Sequence, residues 1–327
     1  RQDARASHSE LAGRLGVGRA SLGSLSESVT IFDPQPLADL AEELSGKLPD
    51  RTPENFACVD KKITAVDGSV FRLLGQVAEL AWLPKGDGKS SCGYRLHAQF
   101  EVFKGTASRI DVTGANPKGE ADERRVVERT GAGGRWYHID RGYAKYVLWN
   151  AIHAVDSHYV CRLGDTTPYE VVSEHELTDA EQNANIVSDQ IVQFGTANSR
   201  TTPPDHTTRL VIVKVSPHNS RRSKNGTSGP SSDGYLRIVT NNLDVPAEII
   251  AALYELRGTV ELYFRIIKQL LGCRHLLSTK ENGVTIQIYL AIIACIMILA
   301  MTGFYLLGLA DLEEMETHIH KLPSKPS

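Results

Sequence analysis

The 327 residues, 41% hydrophobic and 23% charged, hold enough apolar material for one large domain with additions or for two ordinary ones, which excludes a disordered chain. A formal net charge of −3 lacks the basic footprint of a nucleic-acid-binding domain, so any contact with nucleic acid has to rest on local patches. Cys58, Cys92, Cys161, Cys273 and Cys295 form no C-x-x-C pair and no Cys/His spacing for a zinc site, as expected in a reducing cytoplasm. Arg1 to Ser9 carry no apolar core of a secretory signal, and the missing initiator Met is expected of a chain that starts inside a longer reading frame.

In chain order, SELAGRLG and PLADLAEELSGKL predict short helices, the second with Pro36 at its start. From Phe56 the pattern turns β-like, and FACVDKKITAVDGS reads as a strand that stops at Asp67, in an Asp-Gly-Ser turn. YRLHAQFEVF and SRIDVT predict strands, EADERRVVER an amphipathic helix, RWYHID a strand, AKYVLWNAIHAV a helix and HYVCRL a strand. This alternation predicts an α/β fold. After Leu163, the β-prone pieces DQIVQFG, TRLVIVKVS and YLRIVTN are separated by turn-rich stretches. A long helix is then expected through PAEIIAALYELRGTVELYFRIIKQLLG. No charged side chain follows from Asn282 to Ala310, so by length alone this run can span a bilayer as well as fill a core.

The helix from Pro246 holds the most informative residues. Tyr254, Arg257, Glu261 and Lys268 are spaced by three, four and seven, which places them within roughly 60° of one helical face. Taken alone, such a stripe also reads as a solvated face with Arg257 and Glu261 as an i,i+4 ion pair. Likewise, Asp-Gly at Asp67 is first of all a turn dipeptide.

Three motifs in order change that reading. YELRGTVELYFRIIK, with the spacing Y-(2)-R-(3)-E-(6)-K, resembles the motif around the third acidic residue of DDE-type bacterial insertion-sequence transposases of family four. AVDGS resembles the first-aspartate motif of that family and DRGYAKY the second. The resemblance runs from about Leu25 to the end of the apolar segment. It implies an α/β fold with a ribonuclease H-like core, Asp67 on the first strand, Asp140 at the end of the fourth, and Glu261 on a helix behind a β-rich insertion. The implied organisation is a small N-terminal helical domain over 1–50 that is a candidate for DNA binding, and a first part of the catalytic core over 51–163. The insertion follows over 164–244, the second part of the core over 245–316 and a polar tail over 317–327.

The implied activity is DNA transposition: transposon ends are cut and the 3′-hydroxyl is joined to target DNA by two-metal phosphoryl transfer, with Asp67, Asp140 and Glu261 as catalytic residues and metal ligands. Three gathered carboxylates need cations to offset their repulsion, and Mg2+, with Mn2+ able to substitute, suits an all-oxygen donor set. Two ions are expected. Tyr254, Arg257 and Lys268 are expected on DNA phosphates, with Arg221, Arg222 and Lys224 in a loop of the insertion that follows a DNA end. Lys61, Lys62, Arg124 and Arg125 are candidates for a wider cationic track. The implied partners are double-stranded DNA carrying terminal inverted repeats and target DNA, bound by a homodimer in a bacterial cytoplasm at the nucleoid, with no membrane. The apolar run is then a core helix. One departure stands out: relatives carry Trp directly after the motif arginine, where this chain has Gly258. Inside a helix glycine costs about 1 kcal/mol relative to Ala, so a catalytically silent, DNA-binding remnant is the alternative.

Overall fold

The computed structural model describes residues 31–72, 82–83, 91–114, 119–195, 202–215, 234–269, 271, 278 and 280–302. In chain order these form α1 (Gln35–Lys47), β1 (Lys62–Arg72), the two-residue β2 (Trp82–Leu83), β3 (Ser91–Glu101) and β4 (Thr106–Gly114). Next come α2 (Glu123–Thr130), β5 (Arg135–Ile139), α3 (Tyr146–Ala154), β6 (His158–Arg162), β7 (Glu170–Glu174), α4 (Asp179–Asn183) and β8 (Ile186–Gln193). The remainder is β9 (Thr208–Lys214), β10 (Tyr235–Thr240), α5 (Ala247–Glu255), α6 (Gly258–Gln269) and α7 (Glu281–Thr302).

One mixed sheet organises the molecule. Its order runs β2-β3-β1-β5-β6-β10-β9-β8-β7, with β4 also paired to β3. β1, β3 and β4 form an antiparallel meander, whereas β1, β5 and β6 are parallel neighbours. β10 returns antiparallel to β6, so the β-rich stretch after Leu163 extends this same sheet. Residue alternation sorts each strand between two apolar layers. Ile63, Ala65 and Phe71 of β1 and Trp136 of β5 join a core with α1, α5, α6 and α7, while Val66, Tyr137 and Ile139 face a second core with Trp149 of α3 and Val127 of α2.

Two elements near the site differ from their sequence reading. The strand read from Phe56 begins only at Lys62, after a single turn over Glu54–Phe56, and it does not stop at Asp67. Asp67, Gly68 and Ser69 pair with Ala98, His97 and Leu96, so β3 keeps the strand extended through the Asp-Gly dipeptide to Arg72. The long helix expected from Pro246 is two helices, broken at Leu256 and Arg257, and Gly258 is the first residue of the second rather than an interior residue.

α7 is long and apolar enough to cross a membrane. One of its stripes, Val284, Ile288, Ile292, Cys295 and Leu299, is packed into the first core, and the Tyr289 hydroxyl donates to the Ile110 carbonyl of β4 at 3.0 Å. α1 packs on the same α7 and on β4 through Ala41 and Leu44; residues 1–30, with the rest of the expected N-terminal helices, lie outside the described residues.

Candidate active site

The register of β1 against β5 brings two distant aspartates level. Ala65 lies opposite His138 in this parallel pair, and Asp67 and Asp140 each follow two residues later. Both also keep the parity of the face that holds Ala65 and Trp136, which is the face covered by α6. β5 ends at Ile139, so above this level β1 has no parallel neighbour and a gap opens beyond the strand end. Ligands in open α/β sheets gather in gaps of this kind.

The backbone fixes one oxygen of each aspartate. The Gly68 N–H donates to Asp67 Oδ1 at 2.8 Å, and the Arg141 N–H donates to Asp140 Oδ1 at 2.7 Å, where Asp140 caps a short turn over Arg141–Tyr143. The other oxygens face a single guanidinium. Arg257 Nη2 lies 4.0 Å from Asp67 Oδ2, 3.6 Å from Asp140 Oδ2 and 2.9 Å from Glu261 Oε1. Three acids from β1, the end of β5 and α6 thus converge on one cation, although among the described residues no three His, Cys, Asp or Glu side chains by themselves enclose an ion site.

α6 presents this edge because Val260, Tyr263, Phe264 and Ile267 form its buried stripe, leaving Glu261 and Lys268 on its flank, two turns apart. Lys268 Nζ donates to Ser69 Oγ at 2.7 Å and lies 4.7 Å from the centre of the Phe71 ring, so it is docked on β1 two residues beyond Asp67. Tyr254, at the end of α5, is half-buried beside Asp140; burial first, and then that carboxylate, push its phenol up to about 12. Burial likewise raises the Asp67 carboxyl, against the lowering influence of Arg257 and the Gly68 N–H.

The start of α5 is held from the extended sheet. Arg209 of β9 donates from Nη1 to the Val245 carbonyl at 2.6 Å, and Glu181 of α4 accepts from the Ala247 N–H at 3.2 Å. These contacts make the β-rich stretch a support for the helix pair that carries Tyr254, Arg257 and Glu261.

Residues that the sequence reading passed over complete the surroundings. The Glu123 carboxylate pairs with Arg95 directly above Gly68, where a Cβ would come 2.5 Å from Glu123 Oε1. Tyr143 is buried beneath the aspartates. Glu123 gave no local signal, since an acid in the first turn of an amphipathic helix is ordinary. Of the candidate track, Lys61 lies at the far end of β1, bonded to the Asp156 carbonyl at 2.8 Å and carboxylate at 3.0 Å, and Lys62 begins the strand there. Both therefore sit away from the acids, separated by several residues of extended chain. Arg124 is paired with its neighbour Asp122, and Arg125 is exposed on the same helix. Arg221, Arg222 and Lys224 lie outside the described residues.

Residues 59–297 match the family model for the transposase DDE domain, and the chain belongs to that family. It is 28% identical over 203 residues to a putative transposase, y4zB, of Sinorhizobium fredii, which covers 62% of this chain and 51% of the relative. It is also 28% identical over 221 residues to a probable transposase for insertion sequence element IS5377 of Geobacillus stearothermophilus, which covers 67% of this chain and 52% of that protein. The chain spans about half the length of these curated relatives. Among solved structures, a piggyBac transposase synaptic complex with hairpin DNA aligns with 94% of this chain and 65% of its own, at 10% identity and a TM-score of 0.37.

Proposed function

We propose that this chain is the catalytic part of an insertion-sequence transposase of family four, built on a ribonuclease H-like core, which cuts transposon ends and joins the 3′-hydroxyl to target DNA. The convergence of Asp67, Asp140 and Glu261 on Arg257 Nη2 carries this reading. The strand order supports it: with the two-residue β2 set aside, Asp67 lies on the first strand and Asp140 at the end of the fourth, and Glu261 follows on a helix behind the β-rich stretch.

The donor set fits divalent metal. All three side chains are carboxylates, the hard oxygen ligands that Mg2+ and Mn2+ take, and the guanidinium among them marks where positive charge is stabilised. Bound there, two such ions would supply Lewis acidity to the attacking and leaving oxygens of an in-line displacement at phosphorus. Asp67 and Asp140, whose carboxylates are oriented by the Gly68 and Arg141 N–H groups through the opposite oxygens, would hold them, with Glu261 completing the set from α6. Tyr254 and Lys268 flank the acids and are placed to bind phosphate, the phenol as a neutral donor and the ammonium as a point charge. The substrates in this reading are duplexes carrying terminal inverted repeats and a target duplex, engaged by a homodimer at the bacterial nucleoid.

The alternative of a silent remnant rested on Gly258 weakening the helix interior. Gly258 instead opens α6, is exposed, and would meet no atom within 4 Å with a Cβ.

Asp67→Asn and Asp140→Asn should each abolish Mg2+-dependent cleavage of a duplex from the flanks of the element while leaving end binding nearly intact, because phosphate contacts supply most of the affinity. Gel-shift and cleavage assays on the same preparations decide the point. Parallel loss of binding and cleavage in a folded variant would count against the assignment.

A further inference from the structure

Arg257 occupies the place between the three acids without being built into it. The molecule contains its own standard for a permanent ion pair: Arg209 donates from Nε and Nη2 to both oxygens of Asp189 at 2.7 Å each, and from Nη1 to the Val245 carbonyl at 2.6 Å. Arg257 differs on each count. It makes one hydrogen bond to the acids, to Glu261 at 2.9 Å, while Asp140 and Asp67 lie beyond hydrogen-bond distance at 3.6 and 4.0 Å. Its Nε is buried with no hydrogen-bond partner. A planar five-donor group so incompletely satisfied is held by charge rather than by geometry.

The backbone there also departs from the regular helical ladder. Arg257 sits in the break between α5 and α6, where the Arg257 N–H donates to the Tyr254 carbonyl at 3.1 Å and the Val260 N–H to the Arg257 carbonyl at 3.3 Å, in three-residue steps instead of the four-residue ladder. Gly258 follows, exposed and with no atom within 4 Å of the place of a Cβ, so on that side of Arg257 no side chain stands in its way. Glu261, the acid that Arg257 hydrogen-bonds, has a side chain 55% exposed, which leaves the guanidinium a solvent-facing route out.

We propose that Arg257 is an internal counter-ion, which holds the three acids together in the metal-free protein and is displaced through the junction at Leu256–Gly258 when divalent ions enter. This rests on the metal-dependent reading of the same acids. Divalent ions that take the same carboxylate oxygens repel the guanidinium and remove the charge that holds it, so their entry expels it toward solvent, where it becomes available to DNA phosphate. The arginine thereby couples metal loading to a free phosphate-binding group.

Mn2+ titration of the DNA-free protein, followed by electron paramagnetic resonance, tests this without any catalytic readout. Arg257→Gln should bind Mn2+ on the order of tenfold more tightly than the parent, because a competing positive charge is gone, and Arg257→Lys should stay near the parent. Asp67→Asn should lose the site. In the unaltered protein, the Arg257 Nε–H resonance, assigned by its loss in Arg257→Lys, should shift on addition of diamagnetic Mg2+; this measurement holds even if Arg257→Gln fails to fold. Equal or weaker Mn2+ binding in folded Arg257→Gln, or an Arg257 signal that does not move at saturating Mg2+, overturns the counter-ion role and leaves the metal site standing. Absence of Asp67-dependent Mn2+ binding in every form overturns the metal-dependent reading, and the inference with it.

Discussion

Removing Arg209 tests the idea that the extended sheet supports the helix pair that carries Tyr254, Arg257 and Glu261. Arg209 and Asp189 have side chains only 4% and 3% exposed, and the guanidinium satisfies both carboxylate oxygens together with the Val245 carbonyl. Arg209→Met leaves a buried carboxylate with His175 Nδ1, at 3.2 Å, as its remaining side-chain partner, and leaves the Val245 carbonyl without this donor. Breaking a buried pair from one side costs about 3–5 kcal/mol. With unfolding entropy near 2.1 cal/mol/K per residue, a chain of this length should lose roughly 4–7 °C in Tm. The pH dependence has a definite sign. In the parent, burial raises the Asp189 carboxyl, but the bonds from Arg209 outweigh it and hold the group below its ordinary value. Its contribution is therefore present above the unfolded pKa of about 3.9 and is lost as pH falls through the folded one. In Arg209→Met burial dominates and the folded pKa rises above the unfolded one, so the penalty is full at neutral pH and relieved on acidification. Urea unfolding at pH 7 and pH 4.5 should show the gap between parent and variant narrowing at the lower pH. Asp189→Leu combined with Arg209→Met should recover most of the loss, since no charge is then left buried. A single-variant cost below about 1 kcal/mol, or a double variant less stable than either single one, would refute the argument.

Two glycines give opposite expectations. Gly68→Ala should cost about 1–3 kcal/mol by forcing the Glu123 carboxylate off its pairing with Arg95, and the same change in a Glu123→Ala background should cost clearly less; equal costs in the two backgrounds, read by urea unfolding, would show that Glu123 is not what Gly68 accommodates. Gly258→Ala should stabilise by about 0.4–1 kcal/mol at an exposed helical position with space for a Cβ, and Gly258→Trp should gain nothing further because the position is exposed and nothing lies within 4 Å of the Cβ. A tryptophan variant more stable than the alanine variant by over about 1 kcal/mol in the same assay would contradict that open surface.

Membership of the transposase DDE domain family agrees with what three short motifs implied, and most strands and helices fall where alternation and helical spacing place them. Most of the misses depend on partners distant in the chain. AVDGS carries a genuine turn signal, yet pairing with Leu96 to Ala98 of β3 overrides it and keeps Asp67 inside a strand. Lys61 reads as a free cation until Asp156, 95 residues away, is found beside it. β7 escaped notice because all five of its residues are exposed at the sheet edge, which erases the alternation that marks a half-buried strand. The β-rich stretch was legible as strands but not as the support of α5, since the bond from Arg209 to Val245 spans 36 residues and leaves no local pattern.

The break at Arg257 shows how far a motif can mislead about geometry while naming residues that the fold brings together. Apolar positions at Leu253, Leu256 and Val260 continue a helical period across it, so the sequence reads as one helix with Tyr254, Arg257 and Glu261 on a single stripe. A continuous helix could aim those three side chains along one face but would fix their relative placement. With the chain broken into α5 and α6, each helix follows its own buried face, Ile250 and Leu253 on one and Val260, Tyr263 and Ile267 on the other. Arg257 is left at the junction, close to acids from β1, β5 and α6 at once. Gly258, which reads in the sequence as damage to a helix interior, instead opens the second helix at an exposed position with space for a Cβ.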